Sequence, residues 1–400
     1  MFRMRGRDNT QLIVASTVSG ITGAGFVFVA RGALGLESFA PVAQLWTIWS
    51  LGAASLLFAF QQWAIHSGVT TVYRAIPSMG EGPRRLLQGS ILGSALVLVL
   101  LRDRLFHAST LYWPMAAVVI LVGTTFVGIA RGIQARDGNT RALSVLIAGE
   151  NLIRFVFAVL IALFGGSRGY YGMALVCGFA IVAIVGRRST HTEAPESTSG
   201  EFAIGSATVA GFLSIAAFLV PTMLLAYNGA PPELVSTLFL VLTAVRLPHL
   251  ILQSGTPKAG ALFTRWVADG DVARIRRAHR VIATLALEAG LIAALLGYFI
   301  GDPVVGRVFD IRGQVNGATY AGAAITSILS LATTFATVLL VSTGQHRLLL
   351  IGWLVPAAIA GLAALLLRTV DLTEMAAGLV VLHLVILLLL TVPVGWRSRT

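Results

Sequence analysis

Arg246 sits deep in an apolar stretch, PELVSTLFLVLTAVRLPHLILQSG, that begins near Pro232. At ~1.5 Å rise per residue it lies ~21 Å into a hydrocarbon layer of ~30 Å. A lone guanidinium there is costly unless it faces a bundle interior, a partner or a water-filled cavity. Because it stays charged and forks onto phosphate oxygens, an anionic headgroup is the chemistry it suits. Helical spacing puts Ser236, Thr243 and Gln253 on the same stripe. A second reading pairs Arg246 with Glu288 of the next apolar stretch, at matching depth from the same membrane face. Both readings stand at this point.

Glu150 and Arg154 are spaced i,i+4 in another apolar stretch, so one helical face holds both. Mutual pairing is the simpler reading. The sharper one is ion or proton coupling through Glu150, with Glu288 as a second carboxylate of that type. Gln44, Thr47, Ser55 and Gln62 lie near one face of the second stretch, with Trp46, Trp49 and Trp63 around them. Amides and indoles suit a sugar-accommodating cavity, through hydrogen bonds and stacking. The same residues also serve as interhelical glue and interface anchors. Arg31, at the outer end of the first stretch, is either part of an exit path or an ordinary flank.

These residues need membrane-crossing helices to position them. Of the 400 residues 56% are hydrophobic and only 12% charged, about half the charged share of soluble domains. Mean hydropathy is +0.84. Twelve apolar stretches follow, roughly 11–31, 40–61, 86–101, 111–130, 143–165 and 169–186, then 203–227, 232–254, 281–300, 318–343, 347–367 and 373–394. Basic residues crowd the loops on the side of the termini. The opposite loops hold only Arg31, Arg102, Arg104, Arg168, Arg307, Arg312 and Arg368. That bias places both termini in the cytoplasm and implies a multi-pass protein of a prokaryotic plasma membrane.

The polar, Ser/Thr-rich segment RRSTHTEAPESTSGEF divides the chain near its middle. The expected organisation is an N-terminal six-helix lobe at 1–187, a cytoplasmic linker at 188–202 and a C-terminal six-helix lobe at 203–400. The halves echo each other. IHSG (65–68) corresponds to LQSG (252–255), each followed by a basic segment with a Gly-acid pair. GIQAR (132–136) corresponds to GQHR (344–347). Six spans per half give parallel repeats about an axis normal to the membrane, which suits a transporter that rocks one half against the other.

Four stretches carry a resemblance to a known family. They are ARGALGLESFAPVAQLW with the small-residue span before it, FQQWAIHSG, GIQARDGNTRALSVLIAGENLIRFVFAVLIALFG and ILQSGTPKAGALFTRWVADGDVARIRR. Together they resemble the multidrug/oligosaccharidyl-lipid/polysaccharide (MOP) exporter superfamily, in particular its Wzx-type polysaccharide flippase branch. The resemblance implies an all-α, V-shaped fold whose central cavity is lined by spans 1, 2, 7 and 8. It also implies that Arg246 occupies the type of position that holds an anionic headgroup. Lipid II flippases of the superfamily usually have fourteen spans, against twelve here. The drug-exporting branch often has an acid in its first or seventh span, and neither has one here.

Other classes find little support. There is no Walker lysine motif, no hydrolytic carboxylate pair and no zinc-ligand spacing, so no enzyme, cofactor or metal is expected. Cys177 is the single cysteine, which excludes an intramolecular disulfide. The net charge of +12 follows topology rather than a nucleic-acid face. The basic segment Lys258–Arg280 is expected on the anionic inner leaflet, and His383 is expected to be packed. The leading expectation is a flippase for a polyprenyl-(pyro)phosphate-linked oligosaccharide, with membrane lipids and envelope-polymer biosynthesis proteins as partners. The alternatives are an ion-coupled drug or metabolite exporter and a scaffold of envelope-polysaccharide assembly.

Overall fold

The computed structural model describes residues 6–66, 69, 71–185, 201–246, 256–368 and 371–391, and all regular structure among them is helical. The linker expected at 188–202 falls almost wholly outside the described residues, as do Ser67, Gly68 and the LQSG echo at 252–255. Eight helical stretches are long and apolar enough to cross a membrane, the first being Thr10–Ile65. Three shorter apolar helices, Leu87–Leu100, Ile215–Tyr227 and Pro232–Val245, add to them. With the first stretch divided at Gly35, these account for all twelve segments read from the sequence. Large apolar side chains such as Leu96, Phe164, Ile292, Phe299 and Leu366 stand exposed. On a soluble protein they would be a liability, whereas here they form the lipid-facing surface.

By its contacts the chain divides into two compact units. Unit 1 comprises Met1–Thr208 with Thr222–Leu240, and unit 2 comprises Val209–Pro221 with Val241–Thr400. Unit 1 begins with α1 (Gly6–Gly52), a π-helical turn (Ala53–Leu57) and α2 (Phe58–His66). The sequence suggests a loop between the first two spans. Instead Gly35 alone joins them, at φ 74 and ψ 173, a conformation open almost only to glycine. Then come α3 (Val72–Ser78), α4 (Glu81–Leu100), α5 (Arg102–Leu105) and α6 (Tyr112–Arg136). They are followed by α7 (Thr140–Leu163), α8 (Arg168–Cys177) and α9 (Ala180–Val185). The expected sixth span is thus two helices, broken next to Gly178. α1 packs along α7 and α6, and α6 packs along α2.

α10 (Glu201–Tyr227) and α11 (Pro232–Val245) contribute to both units. The end of α10, the turn at Gly229 and most of α11 group with unit 1. Unit 2 continues with α12 (Thr256–Ala268), α13 (Val272–Gly301), a π-helical turn (Asp302–Gly306) and α14 (Gly317–Ser342). α15 (His346–Leu367) and α16 (Leu372–Thr391) complete it. α14 is its central helix, packed against α12, α13 and α16. Trp353 is fully buried with Leu340, Ile386 and Leu390, and its indole donates to Thr337 Oγ1 at 2.9 Å. His383 is buried and bonded through Nδ1 to the Leu379 carbonyl at 2.9 Å.

Candidate functional site

Asn139 starts α7 by accepting a hydrogen bond from the Ala142 N–H at 3.1 Å. About three turns on, the helix presents Glu150, Asn151 and Arg154 to the interior of unit 1. Glu150 Oε1 lies 2.8 Å from Arg154 Nη2 and accepts from the Trp49 indole at 2.9 Å. Its Oε2 accepts from Arg131 Nη2 of α6 at 3.0 Å. Arg154 Nη1 donates to Asn151 Oδ1 at 2.9 Å, and Asn151 Nδ2 donates to Ser19 Oγ at 3.0 Å. The Arg154 guanidinium also lies over the Trp49 ring at 4.4 Å and the Phe179 ring at 5.0 Å. One carboxylate between two guanidinium groups gives this cluster a formal charge of +1.

Arg154 also explains why the sixth span is broken. Its Nε donates to the Leu175 carbonyl at 2.9 Å, an oxygen that an unbroken α-helix would offer to Phe179. The Phe179 N–H turns to Val176 instead, at 3.0 Å. Gly178 makes room for this. A Cβ there would lie 2.5 Å from Arg154 Nε and 2.9 Å from the Glu150 carbonyl oxygen.

Arg246 has a different setting. It follows the last residue of α11, two residues ahead of Pro248, and its N–H still reaches Leu242 O at 3.2 Å. Ser327 of α14 fixes this helix end by donating to the Val245 carbonyl at 2.8 Å. The guanidinium is half-buried, over the Phe218 ring of α10 at 5.9 Å, and has no carboxylate partner among the described residues. Glu288 stands exposed on α13 without an ion pair among those residues. The two residues are therefore not paired with each other. Thr243 is half-buried one turn before Arg246. Ser236, expected on the same stripe, donates to the Leu36 carbonyl of α1 at 2.7 Å within unit 1. Gln253 lies outside the described residues.

Gln44 and Thr47 are fully buried in unit 1 rather than lining open space. Gln44 Nε2 donates to the Thr222 carbonyl at 3.2 Å, and the Thr47 and Thr222 hydroxyls lie 3.5 Å apart. Trp46 stacks on Phe26 at 5.1 Å and meets Trp49 at 4.9 Å. Gln62 lies on α2, with its side chain outside the description. Arg31 is half-buried on α1, one turn before Gly35. Sequence reasoning placed Arg131 in a loop and did not join it to Glu150. Its place at the end of an apolar run was the available signal. Among the described residues no group of His, Cys, Asp or Glu is arranged to hold a metal ion.

No protein-family profile and no curated protein matches the chain in sequence. Solved structures do match. A multidrug resistance MATE family transporter of the MOP superfamily, in its inward-facing conformation, superposes with a TM-score of 0.58 at 14% identity, over 94% of this chain and 92% of that one. A crystal structure of MATE in the bent conformation gives 0.57 at 14%, covering 96% and 93%. A variant of the Vibrio cholerae MATE transporter VcmN gives 0.57 at 15%, covering 95% and 94%. The chain therefore has the fold of the MATE transporters of the MOP superfamily.

Proposed function

We propose that this protein is an alternating-access exporter that carries a polyprenyl-(pyro)phosphate-linked oligosaccharide across a prokaryotic plasma membrane, with both termini in the cytoplasm. The observation that carries this reading is Arg246. It is a half-buried arginine next to a helix end that Ser327 fixes through the Val245 carbonyl, over an aromatic ring and without an acidic partner among the described residues. Such a group is available to a phosphate, onto which it forks with two parallel hydrogen bonds. The lipid tail would stay in the bilayer while the headgroup crosses. Solved inward-facing and outward-facing conformations of a transporter with this fold support the alternating-access part. The two-lobe organisation, 1–187 and 203–400 about a linker, belongs to the same proposal, with Gln44, Thr47 and Thr243 meeting the cargo as the lobes move.

Glu288, exposed and without an ion pair among the described residues, favours a second reading, an ion-coupled exporter of drugs or metabolites. Depletion of the protein in its native host separates the two. Mass spectrometry of polyprenyl-linked sugars, with an impermeant probe for sidedness, should find one species accumulating on the cytoplasmic leaflet. An unchanged lipid-linked pool, with redundant transporters removed, sinks the flippase reading.

A further inference from the structure

A cleft of about 510 Å³ opens between the early turns of α1 and α7, both within unit 1. Sites that hold small molecules span ~300–1,000 Å³. One end of the cleft is polar, with Gln11, Arg141 and Ser144. The rest is apolar, with Val14, Val18 and Val145. Both helices are long and apolar enough to cross a membrane. The apolar part therefore runs into the hydrocarbon while the polar part marks its edge. Around it Ile13, Ile21, Leu152 and Val156 are exposed, as on a surface that lipid covers.

Three observations make the polar end a place for an anion. Arg141 is exposed and engages no acid among the described residues, and the nearby Asp137 is already held by Arg136 at 3.2 Å. Arg141 is the second residue of α7, where the helix dipole also favours negative charge. Ser144 Oγ is buried without a hydrogen-bond partner, a state that native structures seldom leave unrelieved. Past Val18 the two helices are tied together where Asn151 Nδ2 donates to the Ser19 carbonyl and hydroxyl.

We propose that this cleft is a resident site for an anionic bilayer phospholipid of the leaflet on the terminus side. Its phosphate sits on Arg141, within reach of Ser144 and Gln11, and one acyl chain lies along Val14, Val18 and Val145. The proposal uses none of the residues around Arg246 and does not rest on the cargo proposed above. Basic pockets between membrane-crossing helices are suited to such headgroups. A peptide or soluble metabolite has no apolar chain to cover Val14 and Val145, which are 54% and 43% exposed.

Native mass spectrometry of the full-length protein, purified with equal phosphatidylglycerol and phosphatidylcholine, tests this. Wild type should retain phosphatidylglycerol about fivefold better, the effect of one cation near the surface. Arg141→Gln should remove that preference. Val145→Trp, or Val14→Trp where the first does not fold, should reduce retention of phosphatidylglycerol with Arg141 intact. An unchanged preference in Arg141→Gln overturns the proposal. So does full retention in both tryptophan variants. Displacement of phosphatidylglycerol by inorganic phosphate alone would make this a free-phosphate site and overturn the lipid assignment.

Discussion

Arg154 and Arg246 are arginines of similar position, each carried by a helix that the sequence marks as membrane-crossing, and their surroundings are opposite. Arg154 is fully buried, with a carboxylate, an amide, a backbone carbonyl and two aromatic rings around it. Arg246 is half-buried, with one ring and no acid among the described residues. Hydrogen bonds from Arg154 have even reshaped the neighbouring helix, whereas the protein holds the backbone beside Arg246 and leaves its guanidinium unspent. A buried network of charged and polar groups bonded to one another rigidifies a core, and removing one member leaves its partners short of bonds. A guanidinium with no acid beside it among the described residues is, in the proposed function, the group that meets the cargo. Both are arginines in apolar stretches, but Arg154 has an acid one helical turn away whereas Arg246 has none in its own stretch after Glu233, and the partners follow that difference.

The largest effect should come from breaking the satisfied side of this comparison. Arg154→Leu leaves Asn151 Oδ1 and the Leu175 carbonyl without their donor and Glu150 with Arg131 and Trp49 alone, and should cost about 2–4 kcal/mol. Thermal unfolding followed by tryptophan fluorescence reads it; a loss below ~1 kcal/mol would show that the cluster is not structural. Gly178→Ala presses a methyl group against Arg154 and the Glu150 backbone, and should cost about 1–3 kcal/mol. Combined with Arg154→Leu it should be less than additive, because the group it collides with has gone. Arg246→Gln should leave the unfolding midpoint within ~0.5 kcal/mol of wild type, while lowering transport of a phosphate-linked lipid at least tenfold, about 1.4 kcal/mol.

The smallest effect sharpens the contrast from an exposed carboxylate. Asp371 accepts from the backbone N–H of Glu374 at 3.0 Å and of Thr373 at 2.7 Å. Those bonds, that from Glu374 foremost, hold its carboxyl below its ordinary pKa of 3.8. A depressed pKa stabilises the fold above the unfolded value and loses that contribution as pH falls through the folded one. Asp371→Ala should therefore cost about 0.5–1 kcal/mol at neutral pH, and the gap to wild type should narrow under strong acid. A gap independent of pH would assign the effect to the side chain's shape rather than its charge.

The apolar stretches were legible because burial in hydrocarbon demands long apolar runs, and the described parts of those runs are helical. The Glu150–Arg154 geometry was legible for a similar reason, since i,i+4 spacing fixes a shared face. What the sequence hid was set by other helices. The interval between the first two spans reads as a loop through Arg31 and Glu37, yet Gly35 alone turns the chain there. The sixth span reads as continuous, and a side chain 21 residues away, Arg154 at Leu175, interrupts it. Arg131 looks like one of many loop arginines until α6 brings it to Glu150. Gln44 and Thr47 read equally well as cavity lining or interhelical glue, and in this structure both contact Thr222, Gln44 through Nε2 alone.

The central claim is that Arg246 serves a ligand and Arg154 serves the fold. Equilibrium binding of a short-chain polyprenyl diphosphate to the purified protein tests it most directly, with the unfolding midpoint measured on the same samples. Arg246→Gln should bind at least tenfold more weakly, about 1.4 kcal/mol, with an unchanged midpoint, and Arg246→Lys should recover part of the affinity through its charge. Wild-type affinity in Arg246→Gln, or a fall in midpoint as large as that of Arg154→Leu, would contradict the account.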